Sequence, residues 1–288
     1  MKKAFKAIYN SIPGKKYLFR ILRVFPVPHS LYQHLYFKDV FKVKFNNHQF
    51  LIEHFGFQIE NEIFWSGLTN GWEKISMQLW IELCKDADTV IDIGANTGVY
   101  SLVAKTINPN AAVYGFEPVK RVMEKFQKNC ALNHFDITCM EYAASNFDGE
   151  AVIFDSIAEH VYSVTVNKNT APNTETIETK IKTKKLSTFI TENKITKIDL
   201  IKTDVETHEP EVLQGMEEYL ENFQPTLLIE ILNDEIGESV QSLIKNIDYL
   251  YFNIDEVGAP KRVDKIEKSA YYNYLICKKG VAHKLNLI

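Results

Sequence analysis

A short apolar strand followed by a glycine-containing loop constrains the fold of this chain most strongly. Residues 89–93 have the composition of a buried strand, residues 94–98 read Gly-Ala-Asn-Thr-Gly, and a helix is predicted from 98 to about 106. Glycine has no Cβ, so the backbone can turn sharply and a ligand can approach it closely. Open α/β sheets bind ligands at such strand-to-helix turns, so we expect a ligand site at this loop.

Downstream of this loop the sequence alternates between predicted strands and helices. Further strands are predicted at 112–116, 137–142, 198–203, 225–231, 249–254 and 271–277, and a second helix at 120–133. This alternation predicts an α/β fold with a mostly parallel sheet and helices on both faces. Residues 151–154, 161–166 and 176–183 instead alternate with period two, which predicts an inserted antiparallel strand segment.

The residues that precede this alternation predict helices and a β-hairpin instead. Residues 2–24 predict one or two short amphipathic helices broken near Pro13 and Gly14, and residues 40–55 predict a β-hairpin around Asn46 and Asn47. A helix is predicted over 72–85. We therefore divide the chain into an N-terminal basic helical arm and hairpin extension, 1–71, and a main domain, 72–288.

Charge is distributed unevenly. Residues 1–38 contain eight Lys and Arg and no Asp or Glu; because the whole chain carries −4, the remaining 250 residues carry −12. A basic arm can make peripheral membrane contact, or it can be a solvated helix face, and the sequence leaves both open. The acidic remainder argues against a nucleic-acid partner, because phosphate binding needs a broad positive surface. The sequence does not predict the oligomeric state.

The spacing of the cysteines and the length of the apolar runs indicate the cellular compartment. The four cysteines form no CxxC pair and no zinc-like spacing with histidine, which is typical of reduced, structural thiols. No apolar run is long enough to span a membrane, and Arg20 and Arg23 interrupt the N-terminal apolar run, unlike a signal peptide. We expect a cytoplasmic protein, with membrane-peripheral association as the alternative.

The glycine spacing narrows the choice of ligand. The loop has GxxxG spacing, whereas the dinucleotide fingerprint is GxGxxG and a P-loop continues with Gly-Lys-Ser/Thr. Glu117 ends the second strand, 19 residues beyond Gly98 and just before Pro118, where a carboxylate can accept hydrogen bonds from ribose hydroxyls. Alternatively, Glu117 is only a favourable charge at the start of a helix.

An acidic block follows the fourth predicted strand. Asp204, Glu206 and Glu209 lie within six positions, and such crowding raises carboxylate pKa values and can create a general base. The same oxygens could bind Mg²⁺, although no further feature supports a metal site. His208 can accept a proton from a hydroxyl group, or it is an ordinary residue at a helix start. Glu230 ends the fifth strand and points to the same sheet edge.

Together, these blocks resemble the FkbM family of methyltransferases. The resemblance rests on residues 90–101, 115–118 and 201–206, with Glu209 and residues 212–213, and runs from about 72 to 277. It implies a class I (Rossmann-like) fold, S-adenosylmethionine as methyl donor, and O-methylation of a hydroxyl on a sugar, glycan or other small molecule. Two positions depart from the family pattern: Thr207 stands where the family commonly has glycine, and Ser187 follows Leu186 where an aspartate is common.

The resemblance also implies residue roles. The expected cofactor-binding residues are Asp92, Gly94, Ala95, Asn96, Thr97 and Gly98 around the methionine part, Glu117 and Pro118 at the ribose, and Ala144 and Ser145 near the adenine. Asp204, Glu206 and His208 are the candidate catalytic residues, and Glu209 and Glu230 the candidate substrate contacts. No metal ligand is assigned. The competing hypotheses are a non-catalytic protein of the same fold and a dinucleotide-binding protein.

Overall fold

The computed structural model of the protein describes residues 13–71, 73–156, 164–165 and 176–288. Its helices, in chain order, are α1 (Lys15–Leu22), α2 (His29–Tyr32), α3 (Gln58–Ser66), α4 (Lys74–Cys84), α5 (Val99–Ile107), α6 (Lys120–Asn133), α7 (Leu186–Glu192), α8 (Glu209–Gln214), α9 (Glu218–Phe223), α10 (Asp234–Ile244) and α11 (Lys279–Lys284).

The strands follow the predicted alternation. In chain order they are β1 (Asp39–Phe45), β2 (His48–His54), β3 (Thr89–Ile93), β4 (Ala112–Phe116), β5 (Ile137–Met140), β6 (Ala143–Ser145), β7 (Gly149–Ser156), β8 (Val164–Thr165), β9 (Thr176–Lys185), β10 (Leu200–Thr203), β11 (Thr226–Glu230), β12 (Tyr249–Ile254), β13 (Pro260–Val263) and β14 (Asn273–Lys278).

The main sheet has eight strands in the order β13-β12-β14-β11-β10-β3-β4-β5. The five strands from β11 to β5 pair in parallel, and β14 inserts antiparallel between β11 and β12. Alternate residues face two separate cores: Val90 packs into one and Ile91 into the other. Helices therefore cover both faces, and the predicted class I α/β fold is confirmed.

A second, smaller sheet, ordered β6-β9-β7-β8, holds the inserted segment. β7 pairs antiparallel with both β8 and β9, as the period-two alternation predicts. The predicted third strand, 137–142, is two residues too long, because the chain leaves the main sheet after Met140. The next strand, β6, instead pairs in parallel with β9 in the smaller sheet. Parts of the predicted insertion, residues 157–163 and 166–175, lie outside the described residues.

The N-terminal extension contains the predicted hairpin, in which β1 and β2 pair antiparallel around the Asn46–Asn47 turn. Helix α3 was not predicted, because its buried positions include the polar residues Glu60, Asn61 and Glu62, which obscure an apolar period. Residues 2–12 of the predicted basic arm lie outside the described part of the chain.

The extension packs directly on the rest of the protein. Phe41 and Phe64 share one hydrophobic core with Trp80 and Leu102. The side chain of Asn133 in α6 accepts from the Leu51 amide at 2.7 Å and donates to the Leu51 carbonyl at 2.7 Å, in the manner of a neighbouring strand. The domain boundary at 71/72 stays a prediction, and buried apolar side chains from both sides of it form a single core.

Among the described residues, none of the helices combines the length and apolar character needed to span a bilayer.

Candidate functional site

A cavity of about 570 Å³ opens at the carboxyl ends of β3, β4, β10 and β11. Strand-end residues from different parts of the chain meet there, because parallel strands end at the same edge of a sheet. Its wall includes residues 94–97 of the glycine loop, Glu117 and Pro118, residues 143–145, residues 204–206, His208 and Glu230. The structure thus brings together most of the residues that the sequence analysis selected.

The glycine loop is held tightly between β4 and β10. The amides of Gly94 and Ala95 both donate to the carbonyl of Phe116, at 3.0 and 2.9 Å. Gly94 has φ +75°, and a Cβ at this position would collide with the backbone carbonyl of Asp204. The sharp turn therefore requires glycine at position 94 both for its conformation and for space.

Glu117 is locked beside this loop by main-chain donors. Its Oε2 accepts from the Asn96 amide at 3.1 Å, and its Oε1 accepts from the Val119 amide at 2.9 Å. The carboxylate is buried, and it lines the cavity. The Oδ1 atom of Asn96, also in the cavity wall, is buried without a hydrogen-bond partner in the described structure. This corner of the cavity presents acceptor oxygens in fixed positions.

Beyond Glu117 the wall is apolar. Phe116, Val122 and Ala144 from the main domain face Ile153 and Ile181 from the inserted sheet. Within this region the hydroxyl of Thr183 is buried and unpaired in the described structure, and Ser145 also lines the cavity. The insertion thus completes a slot that suits a flat apolar group with a few polar atoms.

The opposite end of the cavity is acidic. Asp204, Glu206, Glu230 and Glu73 line it together. Burial, reinforced by the charge of Asp204, raises the pKa of Glu206 to about 7 and that of Glu230 to about 9. Burial and Asp204 likewise raise the pKa of Glu73. At neutral pH both the protonated and the ionised form of Glu206 are therefore populated, and Glu230 is mainly protonated.

Lys202 supplies the positive charge at this end. Its Nζ donates to Asp204 Oδ2 at 2.9 Å and lies 5.0 Å from the centre of the Tyr100 ring. Burial works to lower the pKa of Lys202, but Asp204, Asp92 and Glu73 outweigh it and raise that pKa. Lys202 is therefore a permanent cation that partly offsets the surrounding carboxylates.

His208 lines the cavity, but both of its ring nitrogens have neighbours. Nε2 lies 3.0 Å from Ser145 Oγ, and Nδ1 lies 3.5 Å from Glu211 Oε2. Burial lowers the pKa of His208 despite the opposing charge of Glu211, so the ring is neutral at pH 7. These contacts place the imidazole beside β6 and next to the acidic end.

Three residues expected at the site do not reach the cavity wall. Asp92 points beneath α5, where its Oδ2 accepts from the Ser101 amide at 2.9 Å and the Ser101 hydroxyl at 2.7 Å. Gly98 packs against the Phe126 ring, with no room for a Cβ. Glu209 is buried and its Oε1 accepts from the Val205 amide at 3.0 Å, so it supports the loop instead of facing a substrate.

Several wall residues were missed by the sequence analysis. Lys202 precedes Asp204 by two positions and shares its strand face, so period-two alternation could have identified it. Tyr100 and Glu73 meet through a 2.8 Å hydrogen bond, donated by the Tyr100 hydroxyl, that no local pattern indicates. Residues 57–59, at the start of α3, also line the cavity.

Glu60 connects α3 to the glycine loop. It is fully buried; its Oε1 accepts from the Thr97 hydroxyl at 2.8 Å, and its Oε2 accepts from the Phe57 amide at 3.2 Å. Burial raises the pKa of Glu60 to about 8. The N-terminal extension thus contributes to the shape of the loop as well as to the cavity wall.

The two residues after Asp204 and Val205 carry an unusual backbone. Glu206 has φ +54° and Thr207 has φ +81°, and a positive φ is rare for a β-branched residue such as threonine. Glycine would adopt this conformation without strain. The turn that aims Glu206 into the cavity is therefore strained in this chain.

Metal binding receives no support from the geometry. Within residues 13–71, 73–156, 164–165 and 176–288, no group of three or more His, Cys, Asp or Glu side chains is arranged to hold a metal ion.

Comparison with known proteins connects this site to a family. The sequence model described as "Methyltransferase FkbM domain" matches residues 92–254, which is more than half of the chain. Methyltransferase 1 of Beauveria bassiana is 24% identical over 185 residues, covering 57% of this chain and 74% of that protein. Hexuronic acid methyltransferase AglP of Haloferax volcanii is 26% identical over 150 residues, covering 52% of this chain and 59% of that protein.

Among solved structures, Methyltransferase FkbM from Methylobacillus flagellatus KT aligns with a TM-score of 0.40 at 15% identity, covering 66% of this chain and 43% of that one.

Proposed function

This chain belongs to the FkbM family of methyltransferases, and we propose that it uses S-adenosylmethionine to O-methylate a hydroxyl group of a sugar, a glycan or another small molecule. One observation carries the proposal. The glycine loop, Glu117 and the acidic residues Asp204, Glu206 and Glu230 at the strand ends all line one cavity.

The residues present fit the proposed cofactor. A nucleoside with a charged tail needs an acceptor pair for its ribose, an apolar slot for its base and acidic groups near its cationic centres. Glu117 offers the acceptor pair for the ribose. The apolar slot for the base is lined by Phe116, Ala144 and Ile153, and Asp204 and Glu206 are the acidic groups. The unpaired Oδ1 of Asn96 gives a further acceptor in the glycine loop. When bound, S-adenosylmethionine supplies a methyl group activated by its sulfonium.

The chain's own groups perform the proton chemistry and positioning in this proposal. Glu206, with its pKa raised to about 7, accepts the proton from the acceptor hydroxyl. Lys202 pairs with Asp204 at 2.9 Å, and Glu230, mainly protonated with its pKa raised to about 9, donates a hydrogen bond to the acceptor. Holding the acceptor oxygen in a defined position supplies much of the acceleration.

The charged residues that line the cavity limit the charge that the acceptor can carry. Among the described residues that line the cavity, Lys202 is the only Lys or Arg, and it is already paired with Asp204. A carboxylate on the acceptor would lie near the carboxyl groups of Glu73, Glu206 and Asp204 with no unpaired cation to offset it, which is unfavourable because like charges repel. We therefore propose a neutral sugar hydroxyl as the acceptor, although the relative from Haloferax volcanii is named for a hexuronic acid.

A panel assay tests the proposal. The full chain is incubated with S-adenosylmethionine and matched pairs of acceptors, each pair being a neutral glycoside and its uronic acid counterpart, and release of S-adenosylhomocysteine is followed by mass spectrometry. We expect acceptor-dependent release that is greater with the neutral member. Binding of S-adenosylmethionine with no acceptor-dependent release across the panel would favour a non-catalytic protein of this fold.

Binding of NADH but not of S-adenosylmethionine would overturn the cofactor assignment. Turnover restricted to the uronic acid members would overturn the acceptor class alone and leave methyl transfer in place.

A further inference from the structure

Five large apolar side chains near the N-terminus face outward. We call them the N-terminal apolar face: Tyr17, Leu18, Ile21, Val24 and Phe25, which are exposed by 63%, 52%, 64%, 81% and 63%. Isolated exposed apolar residues are ordinary, but five within nine positions form a contiguous patch of the kind that marks an interaction site.

Helix geometry accounts for the part of the patch that lies on α1. At 100° per residue, Tyr17, Leu18 and Ile21 lie on one side of α1, and Phe19 points to the opposite side. Phe19 is buried, with its ring 5.6 Å from that of Trp65 and 6.4 Å from that of Phe37. Phe19 therefore anchors α1 to the protein body, and the anchoring directs the apolar face away from that body.

Basic residues lie beside the patch along the chain, and one of them, Lys16, is paired with Asp39 at 3.0 Å. Arg20 and Arg23 are exposed, Lys15 and Lys16 precede the patch, and positions 13–38 contain no acidic residue. Arg23 lies over the ring of Phe64, with Cζ 4.8 Å from its centre, so this guanidinium is held on the body side of the helix. An apolar strip beside cations has the composition of a helix that lies at an anionic lipid surface.

We propose that the N-terminal apolar face docks on an anionic bilayer surface, with Ile21 and Phe25 entering the interface and Arg20 meeting lipid headgroups. A second copy of the chain is a poorer occupant. A two-fold contact would bring the same basic residues together from both subunits, and like charges at an apolar contact oppose association. The inference stands independently of the methyl-transfer proposal.

Vesicle co-sedimentation of the full chain tests the proposal. The vesicles are pure phosphatidylcholine, or phosphatidylcholine mixed with phosphatidylglycerol. The test variant is Ile21→Glu with Phe25→Glu, and the matched control is Val257→Glu, because Val257 is 74% exposed in a turn far along the chain. All substituted positions are exposed, so folding is expected to persist and is checked by circular dichroism.

We expect the chain to bind the anionic vesicles only, and added salt to weaken that binding. The Val257 variant should bind as wild type does. The double variant should bind at least about tenfold more weakly, because two large apolar side chains no longer leave water on binding. Absence of binding to anionic vesicles, or equal binding by both variants, would overturn the proposal. A concentration-dependent dimer that the double variant abolishes, without vesicle binding, would assign the face to a second copy instead.

Discussion

Lys202 donates a 2.9 Å hydrogen bond to Asp204 two residues further along, where β10 ends. The lysine side chain is 9% exposed and the aspartate side chain 33% exposed, so the pair spans the boundary between the core and the cavity. Lys202 also lowers the pKa of Glu206, opposing the rise caused by burial and by Asp204. The pair therefore sets the electrostatic conditions for the candidate base.

Methyl transfer should depend on pH through Glu206. Its pKa, raised to about 7, means that the carboxyl is protonated and inactive as a base below that pH. We expect kcat/KM to rise with pH through a midpoint near 7, and Glu206→Gln to lower it roughly 100-fold and remove this limb. The exposed Glu235→Gln variant should keep the wild-type profile; an unchanged profile in Glu206→Gln would exclude Glu206 as the base.

Replacing Lys202 should shift that midpoint. Lys202→Met removes the charge that lowers the pKa of Glu206, so we expect the pH–rate midpoint to move to higher pH. It should also lower the free energy of unfolding by about 2 kcal/mol, less than for a fully buried pair because Asp204 is partly exposed.

Two variants control for the Lys202 effect. Lys202→Arg keeps the charge and should leave the midpoint near the wild-type value. Lys261→Met breaks an exposed 2.7 Å pair with Asp255 and should leave the stability in urea unfolding close to that of wild type. A midpoint that is the same in Lys202→Met and in wild type would contradict the role of Lys202.

Gly94→Ala should abolish cofactor binding. A Cβ at position 94 would collide with the Asp204 carbonyl, and the φ of +75° is unfavourable for alanine. Either the loop moves, or the free energy of unfolding falls by about 3 kcal/mol. Calorimetric titration with S-adenosylmethionine and thermal unfolding measure both effects. Gly280→Ala is the matched control, because nothing lies within 4 Å of its new Cβ, and it should bind normally.

Glu117→Gln should weaken binding of S-adenosylmethionine by roughly 10- to 100-fold, because an amide replaces one of the two acceptor oxygens offered to the ribose. The Asn96 and Val119 amides, which donate to the carboxylate, would keep only one good acceptor. Titration calorimetry measures the change, with exposed Glu150→Gln as control. Equal affinities of wild type and Glu117→Gln would rule out the ribose contact.

Glu209 should make the fold less stable as pH rises. Burial raises the pKa of Glu209 to about 8 in the folded chain, above the ordinary value of 4.5, so the folded state holds a proton that the unfolded state has lost. This stabilising contribution is complete below about pH 4.5 and is lost as the pH rises through about 8. Glu209→Gln cannot ionise, and its amide oxygen can still accept from Val205.

Urea unfolding at about pH 5 and about pH 9 measures the effect. We expect the stability of Glu209→Gln relative to wild type to increase by at least about 1 kcal/mol between the two pH values. Exposed Glu141→Gln should show no such change. A constant difference between Glu209→Gln and wild type would mean that Glu209 is not protonated in the folded chain.

Most of the part of the cavity formed by the glycine loop and the strand ends could be predicted from sequence. Strand β3 followed by a glycine loop, and a strand ending at Glu117, are local patterns, and parallel strands bring their carboxyl ends together by geometry. The same reasoning placed Asp204 and Glu230 at the cavity.

Side-chain direction was predicted less well. Asp92 also lies near the end of a strand, yet it turns under α5 because the amide and hydroxyl of Ser101 bind its carboxylate there. Glu209 turns inward because the Val205 amide needs an acceptor. Hydrogen bonding between non-adjacent groups decides such directions, and no single strand or helix pattern contains that information.

The sequence by itself determined the α/β alternation, the glycine loop and the strand-end carboxylates, because strand and helix periodicity and turn chemistry act over a few residues. Only the tertiary structure decided that residues 57–59 and the inserted sheet close the cavity, and that the Tyr100 hydroxyl donates a hydrogen bond to Glu73 in the cavity wall. It also decided that the apolar face of α1 points outward, since the burial of Phe19 against Trp65 orients the helix. These features depend on which distant surfaces pack together, and packing is set by the whole core.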